Sequence, residues 1–192
     1  KEVYIDKRNA IHYENMSVAM VNALSNQGQG WIYQMVFGSG GTTVDPTGLI
    51  TYLTPNTTGT NSSLYNETYT KVVNDKSSNN VDPTRNKIET RHVTGTNYTD
   101  ILVTCLLNYG EPNSSATNGQ QQPFDNSQNL NSEFVFDELG LRGRSVDGTS
   151  GLATTGLLLT HVVFHPVQKS LNRLIQIDYT VRIQTLTNLS SI

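Results

Sequence analysis

Charged side chains are scarce in this sequence. Asp, Glu, Lys and Arg make up 15% of the 192 residues, and the formal net charge is −3, whereas globular domains carry roughly 25% charged residues. A nucleic-acid-binding protein relies on clustered Lys and Arg, and a charged disordered tail combines high net charge with few apolar residues. The composition excludes a charged disordered tail, and the net charge argues against a nucleic-acid-binding protein. We therefore expect no specific nucleic-acid partner and a surface built from hydroxyl and amide groups.

Cysteine and long apolar runs are equally rare. The one cysteine, Cys105, lies within the apolar run 101–107, and a lone cysteine forms neither an intrachain disulfide nor a zinc cluster. Its neighbours predict a small buried hydrophobic side chain rather than a reactive thiol. No stretch approaches the roughly 18 consecutive apolar residues typical of a membrane-spanning helix, so we expect no membrane partner.

One segment has the apolar period of an amphipathic α-helix. The spacing over residues 15–27 predicts a short helix near the N-terminus. Its apolar residues recur at intervals of three and four: Met16, Ala19, Met20, Ala23 and Leu24. Asn15 is the expected N-cap, and Gly28 is the expected left-handed residue at the other end. A helix this short needs tertiary contacts for stability, so we expect it to dock on a sheet.

Most other periodic segments alternate between apolar and polar residues, as β-strands do. The alternation is clearest over residues 174–186 and predicts an antiparallel strand with one buried face. The uniformly apolar run 157–164 predicts a more central strand. Further strands are expected at residues 31–37, 49–53, 70–73, 87–93 and 98–109. The chain, 1–192, is therefore predicted to be one all-β domain, a mainly antiparallel β-sandwich with one short helix.

Three stretches poor in apolar residues are predicted to be long loops: 54–69, 110–132 and 143–156. Long loops in a compact domain usually carry function or are flexible. We expect these loops to be arms that become ordered against neighbouring subunits. The alternative is that they are simple flexible loops at the surface.

Two patterns that could indicate chemistry have simpler interpretations. The segment 38–41 (GSGG) follows a strand but lacks the Lys-Ser/Thr pair of a phosphate-binding loop, and no helical pattern follows it, so it predicts a tight turn. His161 and His165 would be close on a helix, but four residues along a strand span roughly 13 Å, too far for one metal ion. His12 and His92 lie in other segments. We therefore predict no metal site and no cofactor site.

Carboxylates are sparse, and the densest group is Glu133, Asp137 and Glu138. Glu133 and Asp137 would share one face of a strand, too far apart to act as an acid–base pair on one bond. Glu138 is expected to cap or hydrogen-bond a turn. The sequence also lacks the Gly-x-Ser-x-Gly elbow of serine hydrolases. No catalytic residue is assigned, and the chain is predicted not to be an enzyme.

Several short segments follow one another in a recognisable order. After the apolar helix come 36–42 (VFGSGGT), 64–69 (LYNETY), the strand 101–107, 134–141 (FVFDELGL), 157–162 (LLLTHV), a corner at Pro166 and Lys169, and the strand 174–184. This order resembles the N-terminal attachment domain of phage tail-fibre and tail-collar proteins. That family has a Phe-Gly-x-Gly turn, a Leu-x-Asn-Glu-x-Tyr segment and a Glu-Leu-Gly-Leu turn. No fibre shaft follows Ile192, so we expect a ring, collar or adaptor rather than a receptor-binding fibre.

The resemblance implies a non-enzymatic structural protein of a tailed-phage virion, in the neck or collar or at the fibre attachment. It implies partners among copies of the chain itself and the portal, tail, fibre or capsid proteins, within a virion assembled in the bacterial host cytoplasm. A capsid decoration protein is one alternative. The other is a carbohydrate- or receptor-binding β-sandwich in which Tyr65, Tyr69 and Tyr109 stack on sugar rings.

The strand 174–186 independently indicates a homo-oligomer. Its polar face carries only Asp178 and Arg182 as charged residues. Edge strands are normally protected from pairing with other chains by charged residues or proline. Weak protection here predicts that neighbouring subunits cover the edges of the sheets.

Overall fold

The computed structural model describes residues 5–112, 134–146, 153–154, 156–170 and 172–185. Every strand pairing among them is antiparallel. No helix in these ranges is long and apolar enough to cross a membrane. In chain order the elements are β1 (Ala10–Ile11), α1 (Tyr13–Leu24), β2 (Ile32–Gly38), β3 (Thr42–Val44), β4 (Ile50–Tyr52), β5 (Glu67–Val72), β6 (Lys87–His92), β7 (Tyr98–Leu107), β8 (Phe134–Gly143), β9 (Ser145–Val146), β10 (Ala153–Thr154), β11 (Leu158–Lys169) and β12 (Ile175–Gln184).

Two sheets pack against each other. The larger has the strand order β1-β11-β8-β2-β5, the smaller has the order β12-β7-β6, and two short ribbons pair β3 with β4 and β9 with β10. One hydrophobic cluster joins the two sheets, with Phe37, Phe136 and Leu141 from the larger and Cys105 and Val181 from the smaller. The predicted all-β sandwich with one short helix and long loops is therefore confirmed.

β12 shows the predicted alternation. Tyr179 and Val181 are buried on one face, while the residues between the inward positions are exposed. The strand pairs with β7 over its ten residues without a bulge and forms one edge of the smaller sheet. β11, by contrast, lies between β1 and β8, and its residues 158–164 are all buried, as expected for the uniformly apolar run.

The start of α1 differs from the prediction. The N-cap is His12, whose Nδ1 accepts a hydrogen bond from the Asn15 amide at 3.1 Å, so the assignment of Asn15 as the N-cap was wrong. Asn15 lies inside the first turn, and its buried side-chain amide donates to the Leu158 carbonyl at 2.9 Å. This bond ties the helix to β11, which is a tertiary contact that helical periodicity does not reveal.

The end of α1 also comes earlier than predicted, at Leu24. Asn26 rather than Gly28 takes the first left-handed position after the helix, with φ of 55°. The amides of Asn26 and Gln27 bond back to the carbonyls of residues 23 and 22. This is the Schellman arrangement, in which asparagine can replace the usual glycine because its short polar side chain tolerates positive φ.

The three predicted loops have different outcomes. β5 begins at Glu67, so the connection predicted over 54–69 is shorter, and residues 53–66 form the β4–β5 loop. Part of the stretch 143–156, which was predicted to be a long loop, forms the ribbon of β9 and β10. Residues 113–132 of the stretch 110–132 lie outside the described residues, as do 147–152 and 155.

Candidate interaction surfaces

Glu138 of β8 anchors the outer face of the larger sheet. Its fully buried carboxylate accepts four hydrogen bonds: Oε1 from the amides of Gly40 at 3.1 Å and Asn66 at 2.9 Å, and Oε2 from the amide of Tyr65 at 3.0 Å and from His161 Nε2 at 2.9 Å. We call Glu138, His161 and the backbone groups that they bind the Glu138 clamp. The clamp fixes the turn after β2 and the end of the β4–β5 loop on β8 and β11.

The second nitrogen of His161 is also occupied. The Asn56 amide donates to His161 Nδ1 at 2.7 Å, so Nδ1 is the acceptor and Nε2 carries the hydrogen that Glu138 accepts. The ring therefore has no free lone pair with which to take a proton from a substrate. This pair of a histidine and a carboxylate holds loops together and is not arranged as a general base.

The hydrogen bonds also explain the charge state of Glu138. Burial by itself raises the pKa of this carboxyl, but the bonds from His161, Asn66 and Tyr65 outweigh it and hold the pKa below its ordinary value. Glu138 therefore stays ionised at neutral pH although it is buried. A carboxylate in this state strengthens each bond that it accepts, because charge-assisted hydrogen bonds are about twice as strong as neutral ones.

The neighbouring Asp137 holds the same turn from the next position of β8. It accepts hydrogen bonds from the amides of Gly41 and Thr42, both at 2.9 Å, and from the Thr42 hydroxyl. A Cβ on Gly41 would lie 2.8 Å from Val163, and a Cβ on Gly40 would lie 2.8 Å from Tyr65. The glycines are thus needed because the turn packs tightly against β11 and the loop, which confirms a tight turn at 38–41.

The clamp brings together segments that are distant in sequence. Glu138 lies in 134–141, His161 in 157–162, Gly40 in 36–42, and Tyr65 in 64–69. Glu138 does bind a turn, as expected, but it lies in a strand, and so does the Glu-Leu-Gly-Leu segment that was expected to be a turn. One cluster of hydrogen bonds therefore unites four of the motifs.

A second surface is open and apolar. Between α1 and the smaller sheet lies a groove of about 730 Å³, which we call the α1 groove. Leu24 is 85% exposed, and Met20 and Trp31 are also exposed. The apolar lining consists of Met16, Ala19, Met20, Ala23, Leu24, Trp31, Ile32, Tyr33, Ile88, Ile101, Leu159 and Ile183. The Asn15 side chain ties the helix to β11 and Ala19 is buried in the core, but Met20, Ala23 and Leu24 of the predicted apolar stripe line this groove and are exposed.

The smaller sheet has two different edges. β6, at one edge, carries Lys87, Glu89 and Arg91 on its outward face, whereas β12, at the other, has Arg182 paired with Asp100 across the strands at 2.7 and 2.9 Å. The Thr180 carbonyl of β12 points away from β7 and accepts a hydrogen bond from the Asn9 side chain at 3.3 Å. β6 therefore carries three charged side chains on its outward face, and β12 carries two, Asp178 and Arg182.

The tyrosines proposed for sugar stacking do not share a surface. Tyr69 is buried in the core, with its ring against those of Phe37 and Phe134. Tyr65 and Tyr109 are exposed, and the Tyr65 hydroxyl donates to the Thr54 carbonyl at 2.6 Å. A stacking platform built from all three rings is thus excluded.

The other singled-out residues are placed as follows. Cys105 is fully buried, as predicted, and burial raises the pKa of its thiol to about 12. His161 and His165 lie on one strand as expected, and exposed His165 contacts the Tyr52 hydroxyl at 3.3 Å. Glu133 lies outside the described residues, and within the described ranges no group of three His, Cys, Asp or Glu residues is arranged to hold a metal ion.

Two buried ion pairs were not anticipated from the sequence. Lys71 pairs with Glu111 beside the Leu106 carbonyl, and Arg142 pairs with Glu67. Burial raises the pKa of Glu67, although Arg142 opposes that rise. The signal that could have revealed these groups is the presence of charged residues among apolar ones in one segment, Glu67 and Lys71 in β5 and Asp137, Glu138 and Arg142 in β8.

Comparisons with models of known protein families, with curated protein sequences and with solved structures found no match to this chain.

Proposed function

We propose that the chain is a non-enzymatic structural component of a tailed-phage virion, acting through subunit contacts as a neck, collar or fibre-attachment (adaptor) protein. Its partners are copies of itself and portal, tail, fibre or capsid proteins. The starting point is the resemblance of its motifs, in order, to the phage attachment domain. A capsid decoration protein is a variant of the same proposal, since it also acts only through contacts.

The convergence of the motifs at the Glu138 clamp is the observation that carries this proposal. Short motifs in a common order can arise by chance. These motifs, however, meet around one buried carboxylate, although Gly40 and Glu138 are 98 positions apart. The four motifs therefore form one structural unit. This is expected if they are the conserved parts of the attachment-domain fold that the resemblance implies.

The α1 groove supports action through contacts with further copies of the chain. Exposed apolar patches lined by several large side chains commonly mark protein–protein surfaces. The charged residues that line the groove are Asp75, Lys76 and Arg144. Because they carry charges of both signs, two grooves that face each other are not forced into repulsion between like charges. Ile183 of the edge strand β12 also lines the groove, so the groove extends as far as that strand.

Sedimentation velocity of the full chain at micromolar concentrations tests self-association. We expect an oligomer that Leu24→Glu disrupts, because the charge would be buried at the contact. Val21→Glu is the matched control, since Val21 is an exposed apolar residue of the same helix that does not line the groove. A monomeric wild-type chain, or equal behaviour of the two variants, would rule out the groove as the contact between copies.

Quantitative mass spectrometry of purified phage particles from the source culture tests the assignment to the virion. We expect the protein in several copies per particle, at a fixed ratio to portal or tail proteins. Absence from particles, combined with glycan binding by the isolated chain, would favour the carbohydrate-binding alternative. Turnover of a glycan or peptide by the purified chain would overturn the non-enzymatic assignment.

A further inference from the structure

The backbone groups of β12 point alternately toward β7 and away from it. One residue past the strand, the Thr185 amide donates to the Asn97 carbonyl at 2.9 Å, and this pair continues the register in which Val181 lies opposite Ile101. The odd-numbered residues therefore form the hydrogen-bonded pairs with β7. The even-numbered residues point their amides and carbonyls outward: Gln176, Asp178, Thr180, Arg182 and Gln184.

Two further contacts agree with this direction. The Leu106 amide of β7, which lies opposite Gln176, donates to Asn86 Oδ1 at 2.8 Å rather than to β12. The Thr180 carbonyl accepts a hydrogen bond from the Asn9 side chain at 3.3 Å. A carbonyl oxygen has two lone pairs, so the Thr180 carbonyl can accept from a second donor as well. The outer edge of β12 is thus oriented to pair with a further strand.

We propose that a second copy of the chain adds its own β12 to this edge, antiparallel and across a two-fold axis at Thr180. This pairing rests on the self-association in the proposed function, of which it specifies one contact, but not on the assignment to a virion. Thr180 lies opposite Thr180 of the second copy, Asp178 opposite Arg182, and Gln176 opposite Gln184. The three-stranded sheets of the two copies become one continuous sheet.

The charged residues of β12 select this register. Opposite charges directly across two strands stabilise an antiparallel pair, and like charges destabilise it. A register centred on Asp178 or on Arg182 brings two like charges together, and a register centred on Tyr179 or Val181 places Asp178 opposite an uncharged residue. The register centred on Thr180 gives two pairs of Asp178 with Arg182, because the two-fold axis repeats each contact.

Arg182 can form this contact without losing its present partner. Its guanidinium donates to the Asp100 carboxylate of β7 at 2.7 and 2.9 Å through Nε and one terminal nitrogen. A guanidinium has five N–H donors, so donors remain for a second carboxylate. In the joined sheet, Arg182 lies between Asp100 of its own chain and Asp178 of the second copy, all on the outer face.

The inward face of β12 matches in the same register. Ile177 and Ile183 are half-buried, on either side of the buried Tyr179 and Val181. Ile177 lies opposite Ile183 of the second copy, so both side chains lose contact with water when the strands pair. Burial of this apolar area favours association. The register that pairs opposite charges on one face therefore also pairs apolar side chains on the other.

Cysteine cross-linking of the full chain tests the register. Thr180→Cys places two thiols across the axis, where the Cα atoms of a hydrogen-bonded pair are about 5.5 Å apart, a spacing that a disulfide spans. Gln184→Cys is the matched control, since Gln184 is exposed on the same face but would lie about 26 Å from Gln184 of the second copy. Cys105 is fully buried, so the introduced thiol is the accessible one.

Under mild oxidation at micromolar concentration, Thr180→Cys should migrate as a disulfide-linked dimer on a non-reducing gel, and Gln184→Cys should remain monomeric. Equal cross-linking at the two positions, or none at position 180, would overturn the proposal.

Reversal of one charge tests the same contact without cysteines. Asp178→Lys places a positive charge opposite Arg182 of the second copy twice in each dimer, so the dissociation constant should rise about tenfold. Glu89→Lys makes the same change of charge on the outward face of β6, at the other edge of the sheet, and should change the constant by under about twofold. Sedimentation velocity measures both variants, and equal dissociation constants would contradict the pairing.

The outcomes separate this inference from the proposed function. A wild-type oligomer combined with no cross-link in Thr180→Cys overturns the pairing of β12 and leaves the contact through the α1 groove. A monomeric wild-type chain overturns both contacts. Absence of the protein from phage particles, combined with the cross-link at position 180, overturns the assignment to the virion and supports the pairing.

Discussion

The Glu138 clamp and the α1 groove differ in how far the chain covers the surface of its own sheets. At the clamp, the chain covers the outer face of the larger sheet with its own loop, and every oxygen of the buried carboxylate receives its donors. At the groove, Leu24 and Met20 remain exposed beside the smaller sheet. The clamp is complete within one chain, whereas the groove has apolar area still available for a contact.

This difference determines what each surface contributes to stability. Removing one partner from a buried charged network leaves uncompensated polar groups, which costs several kcal/mol. Shortening an exposed apolar side chain removes little buried area and costs almost nothing in the isolated chain. We therefore expect substitutions at the clamp to lower the free energy of unfolding and substitutions in the groove to change association instead.

The largest expected effect is that of Glu138→Gln. The variant should lower the free energy of unfolding by about 3–5 kcal/mol. Glutamine has an NH₂ group in place of one carboxylate oxygen, and this group would face N–H donors that it cannot pair with. Urea denaturation of both proteins at pH 7 measures the difference. Glu89→Gln is the control, since the Glu89 side chain is 55% exposed, and it should cost under about 0.5 kcal/mol. Equal costs at both positions would show that the clamp does not stabilise the fold.

The pH dependence of the free energy of unfolding also tests whether the Glu138 carboxylate stabilises the fold. Because the folded-state pKa of Glu138 lies below its ordinary value of 4.5, this carboxylate stabilises the fold above that value. The contribution is lost as the pH falls through the folded-state pKa. The wild-type free energy of unfolding should therefore decline more steeply below about pH 4.5 than that of Glu138→Gln. Parallel curves would contradict this.

The sequence predicts the strands better than the contacts between them. The alternation over 174–186 identifies β12 because the period of two depends only on one face being buried. The pairing of Glu138 with His161, 23 positions apart, depends instead on the register of β8 against β11. No local pattern encodes that register.

The same distinction explains the errors at α1. A helix start is predicted from a capping side chain, and Asn15 is a good N-cap residue by type. The structure uses His12 for the cap, since Asn15 is needed for the tertiary bond to the Leu158 carbonyl. The exposed apolar stripe was equally unpredictable, because periodicity shows that a face is apolar but not what covers it.

An intermediate effect is expected where α1 meets the larger sheet. Asn15→Ala removes the bond to the Leu158 carbonyl and leaves a buried acceptor unpaired, so it should cost about 1–3 kcal/mol. Ser17→Ala, at an exposed position of the same helix, should cost under about 0.5 kcal/mol. Thermal unfolding followed by circular dichroism compares them. If the two variants unfold alike, the bond to β11 does not anchor the helix.

The smallest expected effect is that of Leu24→Ala in the α1 groove. Leu24 is 85% exposed, so the change should alter the free energy of unfolding of the monomer by under about 0.5 kcal/mol. Leu107→Ala is the matched substitution in the core, where the side chain is fully buried, and it should cost about 2–5 kcal/mol. Urea denaturation at concentrations low enough to keep the chain monomeric measures both. A cost at Leu24 close to that at Leu107 would mean that the groove is closed in solution by the chain itself, and the contrast with the clamp would then fail.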